Sequence, residues 1–428
     1  MKIHEKYKIH GKNPENGVII PETVVELASN LAEMNASKSI VAPVGGGTRL
    51  HVGNSIEKYD YAIDVTGLNK IISYNAADLT CTVEAGIRLN DLKKELSEKR
   101  QFLSIDAALP IEATVGGTLA SNAPGLIKWQ LSHMRDTVIG MQVVLASGTI
   151  TKSGGQVVKN VSGYDMSRLH IGAFGTLGII TQVSFKLSPT QNKTGTVVTV
   201  FDDFESASQF AQRTFVSYAM PLGMVCIDNA LAYSIGYQIS DRQFAVFTLL
   251  GGRDKAYQRQ VGIVNNIANN SKNTREITGI ESDAVWDKLR DYPWSDNENS
   301  QKPDLVLRIN TKPSNIMKSV AAVTDLINRD GVKKSMIIQP GFGSIYIFAH
   351  VLESLNDFKS IELIEQLRTI LKDMKSSFVF EKVPINLNDL VEKWGYLNDD
   401  SLKLMKSLKH TYDPDNTLNP GRMWGQYK

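Results

Sequence analysis

The sequence predicts an α+β chain of more than one packed unit, and three observations carry that prediction. At 428 residues the chain exceeds what one small core can hold. Between Ala107 and Gly178 it is rich in Gly, Ser, Asn and Ala, with few side chains large enough to fill a core. From about Gln191 it becomes an ordinary alternation of apolar strands and amphipathic helices. The boundary is therefore placed near residue 190.

The elements follow from spacing. The first 15 residues are polar and read as a loose N-terminal arm. Val24, Leu27, Ala28, Leu31 and Met34 recur at helical intervals and give one apolar face. A short buried strand at Ser39–Val44 runs into Gly45-Gly46-Gly47-Thr48, and a second strand follows at Tyr61–Val65. LTCTVEAG, from Leu79, reads as a strand, and a helix follows with Asn90 as its expected N-cap. Gly178–Pro189 alternates with period two and ends on proline. Beyond it, TVVTVF, a helix near Phe204–Val216, GMVCID and QFAVFTLL read as β–α–β–β. DLVLRIN, a helix near Ser314–Asn328, KSMIIQP and SIYIFAHV repeat that order, which predicts a duplicated split β–α–β unit with an antiparallel sheet. A last helix at Ser401–His410 leads into YDPDNTLNPGRM.

Composition excludes several classes. The formal charge is 47 − 45 = +2 with no basic block, so a nucleic-acid surface is not expected. Only Cys81 and Cys226 are present, too few for a disulfide scaffold, a four-thiolate zinc site or an iron–sulfur cluster held by this chain alone. No apolar run approaches membrane-spanning length and the start lacks a signal-peptide core, so a cytoplasmic protein or a peripheral subunit is expected.

Three glycine-bearing elements carry the chemistry. In Val44-Gly-Gly-Gly-Thr-Arg49, glycines after a strand let successive N–H groups converge on an anion; a plain tight turn is the competing reading. A triphosphatase loop would need Lys-Ser/Thr after the glycines, and Thr48-Arg49 stands there instead. In Pro110-Ile-Glu-Ala-Thr114-Val-Gly116-Gly117, continuing to Ser121-Asn122, a helix start offers N–H donors and side-chain oxygens. The third element joins Gly154-Gly155, Lys159-Asn160 and Gly163-Tyr164-Asp165 to Gly175-Thr-Leu-Gly178-Ile179-Ile180, a combination hard to explain without a ligand.

In this order and spacing, the three elements resemble the FAD-binding domain of the vanillyl-alcohol oxidase / p-cresol methylhydroxylase (PCMH) superfamily. GGQVVKNVSGYDMSRL…GTLGII and the terminal LMKSLKHTYDPDNTLNPGR are similar to the FAD-binding subunits of glycolate oxidases. The resemblance is close over about residues 40–190 and 375–425 and is a match of pattern between them. It implies a two-part PCMH-type FAD domain over 16–190, a cap domain over 191–380, and a segment over 381–428 returning to the FAD domain. It also implies roles: Val44, Gly45, Gly46, Gly47, Thr48 and Arg49 along the pyrophosphate, and Pro110, Thr114, Gly116, Gly117, Ser121 and Asn122 toward the ribityl chain and isoalloxazine. Gly178, Ile179 and Ile180 would lie at the adenine end, Arg135 would steady a loop or phosphate, and Asn419 and Arg422 would approach the flavin from the tail. Many members tether flavin through a His in the first glycine loop. Here Thr48 follows the third glycine, His51 lies further on and Cys81 reads as a small core residue, so dissociable FAD is expected.

Oxidising a 2-hydroxy acid needs a hydride acceptor, a cation for the carboxylate and a base for the hydroxyl proton. Arg308, alternating with apolar neighbours on a strand, is the candidate carboxylate clamp, with a structural ion pair as the competing reading. His350 is the candidate base, with a structural role as its alternative. Glu381, Lys382 and Trp394 flank the tail, and Lys382 could meet an anion. GFGSIYIFAH supplies a single His, so no metal is expected. The expected activity is FAD-dependent oxidation of glycolate, D-lactate or a similar acid, with an iron–sulfur or second flavin subunit as electron acceptor and membrane association through that partner. The rivals are a flavin-holding relay subunit without substrate chemistry and a sugar or aldonolactone oxidase of the same fold.

Overall fold

The computed structural model describes residues 5–127, 134–155, 165–295 and 301–423. It divides into two compact units: one of residues 5–124, 134–190 and 397–423, the other of residues 125–127 and 191–396, within those described.

Among the described residues, the first unit holds two main sheets and a short antiparallel pair of Gln101–Phe102 with Ser188–Pro189. One is parallel, with Tyr61–Asp64 between Gly17–Ile19 and Val41–Val44. Helix Val24–Ala36 starts at Thr23, whose side chain accepts from the Glu26 N–H, and buries Leu27, Leu31 and Met34. The other sheet is antiparallel, in the order Ile71–Asn75, Thr80–Glu84, Ile179–Lys186, Val138–Val144, Ile150–Gly154. Helix Leu89–Ser97 begins two residues earlier than expected, with Arg88 rather than Asn90 at its cap. No side-chain cap is needed there, because the Leu89 and Asn90 N–H groups donate to the Ala113 and Pro110 carbonyls.

The chain ends are tied into this unit. The Val41 N–H donates to Thr417 O and the Asn419 N–H to Val41 O, so the tail adds a bridge beside the first strand of the glycine loop. This returning part starts at residue 397 rather than 381. Glu381 still belongs to strand Ser377–Lys382 and Trp394 bridges Val379, which hold residues 381–396 in the second unit. The start is no loose arm. Tyr7 and Ile9 are buried with Ala42, Val44 and Tyr59, an alternation that the intervening lysines conceal in the sequence.

The second unit is one antiparallel eight-stranded sheet. Its spatial order is Asn273–Thr278, Lys193–Phe201, Phe244–Gly252, Gly223–Asp228, then Lys334–Gln339, Ser344–Ala349, Leu305–Asn310, Ser377–Lys382. Each half is a β–α–β–β–α–β unit in the spatial order 4-1-3-2, and the halves meet where Cys226 and Ile227 pair with Ile338 and Ile337. The expected duplication is present, and its fourth strands and second long helices (Asp254–Ile267 and Asp357–Asp373) complete it. One face buries Val197, Leu250, Leu307, Ile347 and Phe380 under four helices. The other packs Val225, Phe247, Val306 and Phe348 against Trp286 and Tyr292.

Candidate functional site

The glycine loop makes an open cleft in the first unit, with a cavity volume of about 90 Å³. Each glycine is required by a different wall. A Cβ on Gly45 would lie 2.2 Å from the Thr114 hydroxyl, one on Gly46 1.8 Å from Glu112 O, and one on Gly47 2.9 Å from Lys6 O. Gly47 also has φ +78, a conformation that side chains resist. Among the described residues, nothing accepts from the N–H groups of Gly46, Gly47 or Thr48. Three neighbouring amides so left are suited to converge on an anion.

The second element shapes the cleft differently from its sequence reading. Thr114 caps helix Val115–Ala120 by accepting from the Gly117 N–H at 3.2 Å. The Gly116 N–H donates to Ala85 O and the Val115 N–H to Ile87 O. These amides are satisfied within the protein, so Thr114, Gly116, Gly117 and Ser121 line the cleft as a wall without side-chain bulk. Gly116 is glycine because its Cβ would sit 2.7 Å from that of Ala85.

Val44, Arg49, Gly178, Ile179, Ile180 and Asn419 line the same cleft. Asn419 has φ +43; its Nδ2 donates to Phe174 O at 2.7 Å, while its buried Oδ1 has no partner among the described residues. Buried polar atoms are ordinarily paired, so an acceptor left open on the cleft lining is suited to a ligand donor. Lys409 holds this corner by donating to Thr176 O, Leu418 O and the Asp413 carboxylate. Arg422, 2% exposed, also lines the cleft, but its guanidinium donates to the Leu50 and Val52 carbonyls and burial pushes its pKa down to about 10. Pro43, Leu50, Val65, Ala120 and Phe174 complete the lining without a role expected from the sequence, and so does Gly175, which stands in the third glycine element at φ +66.

Three expected residues stand elsewhere. Pro110 accepts from the Asn90 N–H in the turn before Thr114. Asn122, with φ +43 just past the helix C-cap, turns outward and is exposed. Arg135 is more than half exposed, 3.8 Å from its neighbour Asp136. Lys159, Asn160, Gly163 and Tyr164 lie outside the described residues. Cys81 is a core residue whose thiol burial pushes up to about 11, and His51 lies in the turn beyond the glycines.

In the second unit Arg308 pairs across the sheet with Tyr346 on one side and Val379 on the other. The register slips between Val306 and Leu307, whose partners are Lys382 and Phe380; the extra residue of this bulge is Glu381. Its carboxylate is 1% exposed and its Oε1 lies 2.9 Å from Arg308 Nε, an ion contact without hydrogen-bond alignment. The Nη atoms of Arg308 meet no acceptor among the described residues. His350 is not brought to this guanidinium. It lies four residues past Tyr346, about 13 Å along an extended chain, with Nδ1 3.8 Å from Glu353. Lys382 donates to Pro303 O at 2.6 Å. Among the described residues no three His, Cys, Asp or Glu side chains converge as metal ligands.

The chain, with a glycine-walled cleft in one unit and a duplicated antiparallel sheet in the other, is an FAD-dependent oxidoreductase with the vanillyl-alcohol oxidase / PCMH fold, and FAD is its cofactor. Residues 15–154 match the FAD binding domain family and residues 394–423 the C-terminal domain of FAD linked oxidases. The chain is 24% identical over 96% of its length to glycolate oxidase subunit GlcD of Bacillus subtilis, covering 89% of that protein. It is 24% identical to a mitochondrial cytochrome-type D-lactate dehydrogenase of Arabidopsis thaliana (98% of this chain, 76% of that one). To a D-2-hydroxyglutarate dehydrogenase of Xanthomonas citri it is 23% identical (95% and 89%). The fold matches p-cresol methylhydroxylase with a TM-score of 0.71 at 16% identity, over 98% of this chain and 91% of the other.

Proposed function

We propose that the chain oxidises a small 2-hydroxy acid, glycolate or D-lactate being the simplest, with dissociable FAD. The observation that carries this reading is Arg308, whose Nε edge is held by buried Glu381 while its Nη edge stays clear. Such a fork suits a carboxylate bidentately. Bound FAD supplies the two-electron acceptor that takes the hydride from the α-carbon. The nest amides of Gly46, Gly47 and Thr48 hold the diphosphate, and Asn419 Oδ1 orients the cofactor by accepting one of its donors. A hydroxyl next to the clamped carboxylate comes beside Glu381, which takes its proton, and a 2-oxo acid results. The relatives named for hydroxy-acid oxidation support the substrate class.

We also propose that electrons leave through a separate redox subunit, with an iron–sulfur or flavin centre. One relative is itself named as a subunit, and Cys81 and Cys226 are each buried in a core. Anaerobic mixing of the purified holoprotein with glycolate or D-lactate tests the enzyme reading: the flavin band near ~450 nm is expected to bleach within seconds. A band that persists with every small 2-hydroxy acid sinks the proposal.

A further inference from the structure

The matched FAD domain begins at residue 15, yet the residues before it touch the glycine loop. The Lys6 carbonyl stands where a Cβ on Gly47 would go, and the Lys6 side chain lies alongside. Tyr7 and Ile9 are buried beneath the loop's own strand, among Ala42, Val44 and Tyr59, and the Tyr59 hydroxyl donates to Tyr7 O. Ile9 and Lys12 close a backbone turn with two hydrogen bonds of 3.0 Å. His10 Nε2 is 3.2 Å from Arg422 Nη1, at the cleft's other edge.

These contacts centre on Asp64, the register partner of Val44 and therefore the residue level with the entry to the loop. It is 1% exposed. Its Oδ1 accepts from the Thr66 N–H and hydroxyl at 2.9 and 2.7 Å, which fixes the turn carrying Val65 into the cleft wall. Its Oδ2 accepts from the Tyr7 hydroxyl at 2.8 Å and from Lys6 Nζ at 2.5 Å. A buried carboxylate behind an anion nest opposes the ligand that the nest is built for, unless a cation cancels it. Lys6 is that cation.

We propose that residues 5–12 are a strap belonging to the FAD site, in which Lys6 and Tyr7, acting through Asp64, set the affinity of the Gly45–Thr48 loop for the cofactor's diphosphate. The strap backs Gly47 by contact and neutralises Asp64 by charge. Lys6 is a positioning residue, since it reaches the ligand only through its neighbours.

Titration of apoprotein with FAD, read by quenching of flavin fluorescence, tests this through charge rescue. Removing one compensating charge near a dianion is expected to raise the dissociation constant of Lys6→Met about tenfold at low salt, with the difference shrinking at high salt. The double variant Lys6→Met/Asp64→Asn, which deletes both charges, is expected to return to within about threefold of the parent. A Lys6→Met protein within about twofold of the parent overturns the proposal, and so does a double variant as weak as the single one. Should Lys6→Met fail to fold, hydrogen exchange on the unaltered chain decides: FAD is expected to slow the Ile9 and Lys12 amides, and unchanged exchange there overturns the strap.

Discussion

The two units build their chemistry from opposite materials. The first offers a cofactor bare backbone, and its specificity lies in what Gly45, Gly46 and Gly47 lack. The second offers side chains on a conventional apolar sheet, where Arg308 lies in ion contact with a carboxylate that a bulge inserts. Loss of a hydrogen atom's worth of room should destroy the first. Only loss of a functional group should disable the second.

The sharpest way to break that contrast is to add one methyl group to the loop. Gly46→Ala places a Cβ 1.8 Å from Glu112 O, a backbone atom that cannot step aside. Purified protein is expected to be colourless and to bind added FAD more than about a thousandfold more weakly, as the loop and the 112–114 segment are forced apart. Yellow protein with parental affinity would show that the nest is not the diphosphate site.

Arg308→Ala probes the other unit. It is expected to retain bound FAD while kcat/KM for the 2-hydroxy acid falls about a thousandfold, the loss of a charged bidentate contact to substrate. Arg308→Lys should recover only part, because an ammonium cannot reproduce the fork. A variant that lost FAD together with turnover would erase the division of labour. One that kept full turnover would favour a neutral polyol substrate.

The same contrast explains what could be read from the sequence. Strands such as TVVTVF and SIYIFA are legible because they are runs of β-branched and aromatic residues, and the glycine loop because no core would use it. Strand Asn273–Thr278 was not, since at the sheet's edge it buries little besides Ile277 and reads as a polar linker. Glu381 was seen only as part of a tail: a bulge is a matter of register between strands distant in sequence, which no local pattern records. His350 drew notice as a lone His after an aromatic strand, yet proximity to Arg308 was decided by where that strand ended. The strap escaped because Tyr7 and Ile9 are two apolar residues among lysines.

A core substitution should damage the second unit without touching the cofactor. Phe380, fully buried and edge-on to Phe378 at 5.8 Å between ring centres, fills the layer beneath the four helices. Phe380→Ala is expected to cost about 3–5 kcal/mol in that unit's unfolding free energy. The FAD dissociation constant of the folded protein should stay at the parental value. A calorimetric scan that shows the whole chain melting earlier as one transition would instead make the units a single cooperative body.

Acid should also tell the units apart, and here the expected effects are smallest. In the first unit His170 is buried against Tyr412, and desolvation lowers its pKa from 6.5 to about 4. The folded state then binds fewer protons than the unfolded one, so the stability this group contributes is present above pH 6.5 and lost as pH falls toward about 4, up to about 3 kcal/mol. In the second unit Asp228, which caps helix Asn229–Ser234 through the Leu231 N–H, is raised from 3.8 to about 6 by burial. Its sign is opposite: the contribution is present below pH 3.8 and lost as pH rises through about 6, again up to about 3 kcal/mol. Asp228→Asn keeps the cap acceptor and deletes the titration. It should raise the second unit's Tm at pH 7 and flatten that unit's response between pH 4 and 6, leaving the acid sensitivity set by His170 in place. If the variant's pH–stability profile instead superimposes on the parent's, Asp228 titrates alike in both states and the opposed responses of the two units do not exist.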